Sequence, residues 1–208
     1  MILKKVENNI KLNMIIYHDN GKEDNVTELL KYEQQYWEQS YEYIAGIDEV
    51  GRGCLFGDVV AAAVILPVGL ELEGVNDSKK LSEKKRELLY DIIMDQAVAI
   101  SVGYVDAETI DRINIKQAAR EAMKKAVLGL SIQPDYLLVD AEKVDVNIPQ
   151  LSIIKGDANS QSIAAASIIA KVTRDRLCQG SWEAMFPEYG IAIHKGMQLN
   201  CIVNKLLH

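Results

Sequence analysis

Short apolar runs with the length and β-branched content of buried strands fall at Ile44–Glu49, Val59–Leu66, Ala97–Val105 and Tyr136–Asp140. Between them the spacing of apolar positions turns helical. Ser82 opens a charged helix running to about Asp95, and Asp106 is an N-cap candidate for one amphipathic helix, Ala107–Leu128, with Ile110, Ile113, Ala118, Ala122 and Ala126 on one face. The first two strands, separated by the glycine-rich Val50-Gly51-Arg52-Gly53-Cys54, read as a hairpin. After Pro134-Asp135 comes the short strand ending at Asp140. Ile153-Ile154 then leads to Lys155-Gly156-Asp157, and Ser160 opens the small-residue helix Ser162–Leu177. The alternation predicts an α/β fold with a sheet layered by helices. Residues 1–42 are polar and poorly patterned at first; from an N-cap candidate at Asn25 to Thr27, the run Leu29, Leu30, Tyr32, Trp37 predicts a helical appendage joined to the main domain near Tyr43.

Composition narrows the class. At 208 residues, 49% hydrophobic and 25% charged, the chain suits one domain with an appendage. The longest uncharged apolar run, Val59 to Val68, is too short to span a bilayer, and Met1-Ile2-Leu3-Lys4-Lys5-Val6-Glu7 puts charge where an export signal needs an apolar segment. The expectation is a cytoplasmic protein without membrane contact. Cys54, Cys178 and Cys201 share no metal-type spacing and read as free thiols. A net charge of −7 argues against a basic nucleic-acid surface, but eight of the acids against five of the bases lie within residues 1–42. Local basic groups remain in Lys79-Lys80 with Lys84-Lys85-Arg86, in the Lys116/Arg120/Lys124 row and in Lys171, Arg174 and Arg176, each equally readable as a solvated helix face.

The chemistry lies in the acids. Asp48, Glu49, Asp140 and Asp157 each stand where a strand meets a loop or a helix begins. Ends of neighbouring strands in an open α/β sheet face a common crevice, so acids distant in sequence can meet there. Carboxylates gathered without His or Cys form a hard, all-oxygen set suited to Mg²⁺ or Mn²⁺ and to an anionic substrate such as a phosphate ester. Taken alone, Asp48-Glu49 is equally a strand ending in a solvated acidic turn, and neighbours in a regular strand point to opposite faces; the pair can share a site only if the strand twists or ends there. Gly51 and Gly53 make such an ending plausible and let main-chain amides approach a phosphate or sugar. A Ser-His-Asp triad is excluded because His18, His194 and His208 sit near no nucleophile setting, and the 51–57 segment lacks the spacing and following helix of a dinucleotide loop.

With these residues in place, the chain resembles the bacterial ribonuclease HII family, in its low-GC Gram-positive form, from about Tyr32 to Lys195. The blocks carrying the resemblance are Ala45-Gly46-Ile47-Asp48-Glu49-Val50-Gly51-Arg52-Gly53, Asn76-Asp77-Ser78-Lys79-Lys80-Leu81-Ser82, Leu138-Val139-Asp140-Ala141, Lys155-Gly156-Asp157-Ala158, and Ile163 to Val172 with Arg174-Asp175-Arg176. The resemblance implies an RNase H-like fold, a central mixed β-sheet flanked by helices, with the catalytic domain at 43–196, the appendage at 1–42 and a tail at 197–208. It implies a monomeric, metal-dependent endonuclease using Mn²⁺ or Mg²⁺ on RNA/DNA hybrids and on duplex DNA containing single ribonucleotides, leaving 5′-phosphate and 3′-hydroxyl ends. By position, Asp48, Glu49 and Asp140 resemble its metal ligands and Asp157 its fourth catalytic acid. Gly51, Arg52 and Gly53 resemble the segment that senses the ribose 2′-hydroxyl, and Lys155, Ser160, Lys171 and Arg174 are candidates for phosphate contact.

The chain also departs from that pattern. Cys54, Phe56 and Asp58 stand where the family usually has Pro, Ala and Pro, which would add bulk and negative charge beside the substrate path. Met197 stands where the family has a Tyr that packs on the nucleic acid, and residues 198–208 read as an atypical, truncated tail. An alternative expectation is therefore a relative that binds hybrid duplexes without efficient cleavage.

Overall fold

The computed structural model describes residues 28–75 and 78–197. The N-cap candidate at 25–27, Asn76-Asp77 of the second block, and the tail from Gln198 onward lie outside them. Five strands, β1 (Ile44–Val50), β2 (Val59–Ile65), β3 (Ala99–Val105), β4 (Tyr136–Asp140) and β5 (Gln150–Ile153), form one sheet in the order β3-β2-β1-β4-β5. The predicted hairpin is present, with β1 antiparallel to β2 and β2 to β3, while β4 runs parallel to both β1 and β5. The sheet is therefore mixed, with the parallel part built on the strands that carry the acids.

Helices cover both faces. α1 (Lys31–Trp37) precedes the sheet; α2 (Glu83–Gln96), α3 (Ala107–Ile113), α4 (Ile115–Leu128) and α5 (Gln161–Leu177) follow in chain order. The period-2 alternation of β2 sorts its side chains between two cores: Val59, Ala61, Ala63 and Ile65 pack with α4, and Ala62 and Val64 pack with α2 and α5. A strand buried on both faces needs apolar residues throughout, which is why this run carries no charge. α5 presents Ala164, Ala165, Ala166 and Ala170, small enough for the helix to lie against the backbone of β1. Gly46 permits that approach: a β-carbon there would lie 2.0 Å from the Ser162 carbonyl carbon.

Two boundaries differ from the sequence expectation. The single helix 107–128 is broken at Asn114, which adopts φ +69°; its backbone N–H closes α3 on Ile110 O while its side chain accepts from Lys116 N and Gln117 N to start α4. An Asn side chain can hydrogen-bond locally and tolerates this left-handed backbone, so it serves as both stop and start. β5 is an additional strand: the alternation of Gln150, Leu151, Ser152 and Ile153 spans only four residues, too short to stand out from the flanking loops. The N-caps at Ser82, Asp106 and Ser160 are present as read, accepting from Lys85 N, Thr109 N and Ile163 N.

The described part of the appendage is packed into the domain. Tyr36 of α1 stacks on Tyr136 of β4 at 3.9 Å and accepts its hydroxyl proton at 2.7 Å, within a small core shared with Ile44, Leu138, Ile153 and Ile163. Among the described residues no helix is long and apolar enough to cross a membrane.

Candidate active site

β1 and β4 run side by side in parallel with Ile47 opposite Val139, so Asp48 and Asp140 are the next residues along adjacent strands. The Asp48 carboxylate is buried on the α5 side, where it is hydrogen-bonded by Ser167; Ser167 Oγ in turn meets Ser78 Oγ at 2.8 Å. Asp48 Oδ1 also accepts from Glu49 N at 2.7 Å, a local bond beyond the last β1–β4 pair; the strand end expected at Asp48-Glu49 is absent, since β1 stays paired with β2 through Val50. Burial, then the neighbouring Glu49 and Asp140 charges, raise the Asp48 pKa well above the ordinary carboxylate range. Glu49 is raised from 4.5 to about 7, first by burial, with the Arg52 guanidinium opposing it and Asp140 adding to it. Three acids from two strands therefore feel one another's charge.

Glu49 extends from the other side of the strand, as alternation requires, and is held by a chain of charges. Arg52 Nη1 lies 3.2 Å from Glu49 Oε1 and 3.5 Å from Glu142 Oε1, and Arg120 grips the other Glu142 oxygen through Nε at 3.0 Å and Nη2 at 2.9 Å. The second Glu49 oxygen is buried without a hydrogen-bond partner. Asp157 is nearly buried in the 3₁₀ turn Gly156–Ala158, whose first N–H donates to Asp140 Oδ1 at 2.6 Å. That turn follows Lys155, exposed and in the left-handed region at φ +55°. The four predicted acids thus share one end of the β1–β4 pair.

Among the described residues, no three His, Cys, Asp or Glu side chains stand close enough together to hold a metal ion. Arg52 draws Glu49 toward Glu142 instead. The donor set nevertheless fits a hard divalent cation. It offers only oxygens, Asp48 and Asp157 are buried while Glu49 and Asp140 are half-buried, burial raises the pKa of Asp48 and Glu49, and one Glu49 oxygen has no partner.

The predicted substrate contacts divide. Gly51, at φ +110°, makes the turn; a β-carbon there would lie 2.8 Å from Asp58 O and 3.0 Å from Arg174 Nε. Around Gly53 nothing lies within 4 Å of such an atom, so its backbone is open to approach. Arg52, Gly53 and Lys155 are exposed. The other three candidates point inward. Ser160 is fully buried and is the cap of α5. Lys171 Nζ is bound to Asp175 Oδ1 at 2.7 Å. Arg174, 1% exposed, donates to Phe56 O at 2.7 Å, Lys195 O at 2.9 Å and Asp58 O at 3.1 Å. A guanidinium committed to three carbonyls has little left for a phosphate; Arg174 ties the glycine-rich turn to the segment before Met197. The expected bulk of Phe56 likewise turns inward, its ring 5.8 Å from Trp182 and 5.6 Å from Phe186. Arg120 and Lys124 line a groove with Lys143 but are paired with Glu142 and Asp145.

A mixed sheet flanked by helices on both faces, with acids at the ends of adjacent parallel strands, defines an enzyme of the RNase H-like class. Solved structures agree: the RNase HII of the PCNA complex from Archaeoglobus fulgidus matches with TM-score 0.64 and 28% identity over 79% of this chain and 86% of that one. Ribonuclease H2 from Pyrococcus horikoshii OT3 matches with TM-score 0.60 and 29% identity, over 71% and 77%. The ribonuclease HII family model matches residues 45–208, and the chain belongs to the ribonuclease HII family. Ribonuclease HII of Alkaliphilus metalliredigens is 62% identical over 173 residues, covering 80% of this chain and 84% of that protein; that of Geotalea uraniireducens is 61% identical over 169 residues, covering 81% and 78%. The protein is accordingly an endoribonuclease acting on the RNA of RNA/DNA hybrids.

Proposed function

We propose that the protein nicks duplex DNA at single embedded ribonucleotides as well as cutting longer hybrids, leaving 5′-phosphate and 3′-hydroxyl ends. The observation that carries the reading is that Asp48 and Asp140 are neighbours just beyond the last β1–β4 pair, with Gly156 N of the Asp157 turn bound to Asp140 Oδ1, beside an open, glycine-lined turn. Asp48, Glu49 and Asp140 would hold the divalent ion, Mg²⁺ or Mn²⁺, with Asp157 as the fourth acid. Bound there, the ion supplies positive charge for the developing phosphorane and the leaving oxygen.

The chain's own residues do the rest. The open backbone at Gly53 and the exposed Arg52 face the ribose, where a 2′-hydroxyl distinguishes RNA from DNA. Exposed Lys155, two residues before Asp157, would meet a phosphate. Ser167 and Gly156 N–H fix the Asp48 and Asp140 carboxylates so that they need not reorganise as charge develops. A second reading, binding with weak cleavage, is favoured by exposed Met197, which lacks the flat ring and hydroxyl of a tyrosine. The test is a nicking assay on duplex DNA containing one ribonucleotide, with Mn²⁺ or Mg²⁺ added. Metal-dependent nicking that Asp48→Asn abolishes is expected; equal cleavage by that variant would place the chemistry elsewhere, and binding without nicking would favour the second reading.

A further inference from the structure

We propose that Glu33, in the N-terminal helix and ahead of the family match, is a positioning residue for the reaction: it fixes the first turn of α5 and, through it, the Asp140 carboxylate and the turn carrying Asp157. This rests on the reading of the four acids as the active site. Glu33 is 1% exposed although it lies on a helix that otherwise reads as a polar appendage. Its Oε1 accepts from Ser160 Oγ at 2.7 Å and from Ser162 N at 2.8 Å. Ser160 Oγ in turn accepts from Ile163 N at 3.3 Å. One carboxylate oxygen from a distant segment thus completes the cap of a 17-residue helix, where unpaired N–H groups and the helix dipole favour negative charge. The other oxygen, Oε2, is buried without a hydrogen-bond partner. A surface cap would leave that oxygen in water; here its solvation is given up to place Glu33 in the interior.

What Glu33 holds is connected to the acids by hydrogen bonds through the 156–160 turn and by packing against Gly46. Ser160 N donates to Gly156 O at 2.8 Å, the carbonyl on which Asn159 N closes the 3₁₀ turn containing Asp157 at 3.0 Å. Gly156 N donates to Asp140 Oδ1 at 2.6 Å. On the opposite side the Ser162 backbone presses on Gly46, two residues before Asp48. A shift of the first turn of α5 is therefore transmitted to β1, to Asp140 and to Asp157 together. Removing a direct hydrogen-bond partner of a metal ligand typically costs about 10-fold to 100-fold in metal affinity or rate; Glu33 acts one step further out, through Ser160 and Gly156, which sets the expectation at the lower end.

The experiment compares Glu33→Ala, Ser160→Ala and Tyr36→Phe in the full chain, measuring thermal midpoint, kcat and KM for hybrid cleavage, and Mn²⁺ binding without substrate by electron paramagnetic resonance. Tyr36→Phe removes the hydroxyl contact between α1 and β4 and leaves the Glu33 contacts in place. The expected result is that Glu33→Ala lowers kcat and weakens Mn²⁺ binding by about 10-fold with KM changed less than about twofold, and that Ser160→Ala shifts both the same way. Tyr36→Phe should lower the midpoint alone. Loss of stability in Glu33→Ala with kcat and Mn²⁺ binding intact would overturn the proposal. Should that variant fail to fold, Ser160→Ala carries the same expectation and the same refutation. Asp140→Asn in parallel tests the underlying reading: full activity in that variant would refute the site assignment itself.

Discussion

Replacing Gly46 by alanine drives a methyl group into the backbone of α5. The added carbon would sit 2.0 Å from Ser162 C, 2.2 Å from Ser162 O and 2.4 Å from Ile163 N, so β1 and α5 must part by roughly 1.4 Å to restore ordinary contact at 3.4 Å. None of these atoms is the end of a flexible side chain. Overpacking of this severity costs about 3 kcal/mol or more, offset by up to about 1 kcal/mol because alanine restricts the unfolded chain. A net loss of at least about 2 kcal/mol is expected in urea denaturation of the metal-free protein. The same separation pulls Asp48 from Ser167, so Mn²⁺ binding should weaken along with stability. Gly103→Ala provides the comparison: its clash with Ala122 O at 2.1 Å is as severe but lies against α4, and it should destabilise the fold while leaving Mn²⁺ binding near normal in the folded fraction. Gly180→Ala, with nothing within 4 Å, should change neither. A Gly46→Ala protein with the urea midpoint of Gly180→Ala would refute the claim that close β1–α5 contact shapes the site.

Three further outcomes follow from the geometry. Because the Glu49 pKa in the folded chain, about 7, lies above its ordinary 4.5, the folded state holds that proton more tightly than the unfolded state. Its contribution favours folding at low pH and is lost as pH rises from about 4.5 to about 7, by up to about 3 kcal/mol, so metal-free stability should fall across that window while Mn²⁺ affinity rises; a Glu49→Gln protein with the same slope would contradict this. Arg174→Ala leaves three carbonyls without their donor and should cost about 3 kcal/mol in urea denaturation; unchanged stability with weakened duplex binding would instead assign Arg174 to substrate. Met197→Tyr should tighten binding of ribonucleotide-containing duplex by about 10-fold, in line with about 1–3 kcal/mol for stacking of a base on an aromatic ring; equal affinity, read by fluorescence anisotropy, would remove position 197 from the substrate path.

Much of this was legible in the letters, and the part that was not has a common cause. Strand ends bearing acids, the β1–β2 hairpin and the caps at Ser82, Asp106 and Ser160 depend on neighbours in sequence, so local patterns reveal them. Glu33, Glu142 and Arg174 depend on partners far along the chain: Glu33 meets Ser160 across 127 positions and Arg174 meets Phe56 across 118. A signal existed in two of the three cases. Glu33 falls between Leu30 and Tyr36 on the buried face of α1, and Arg174 continues the stripe of Ile163, Ser167 and Ala170 on α5; a charge on a buried stripe marks a committed side chain. Ser160 and Arg174 read as phosphate contacts because composition shows charge and hydroxyls without showing which way they point. No such stripe singles out Glu142, which lies in a loop and finds Arg52 and Arg120 only in three dimensions.

The central claim is that Asp48, Glu49 and Asp140 converge on a common cation. A crystal structure of the protein grown with Mn²⁺ tests it most directly. An ion with oxygens of these three carboxylates within about 2.3 Å is expected, Glu49 having left Arg52 to reach it; an ion bound by other residues, or these three carboxylates still apart at saturating Mn²⁺, would contradict it.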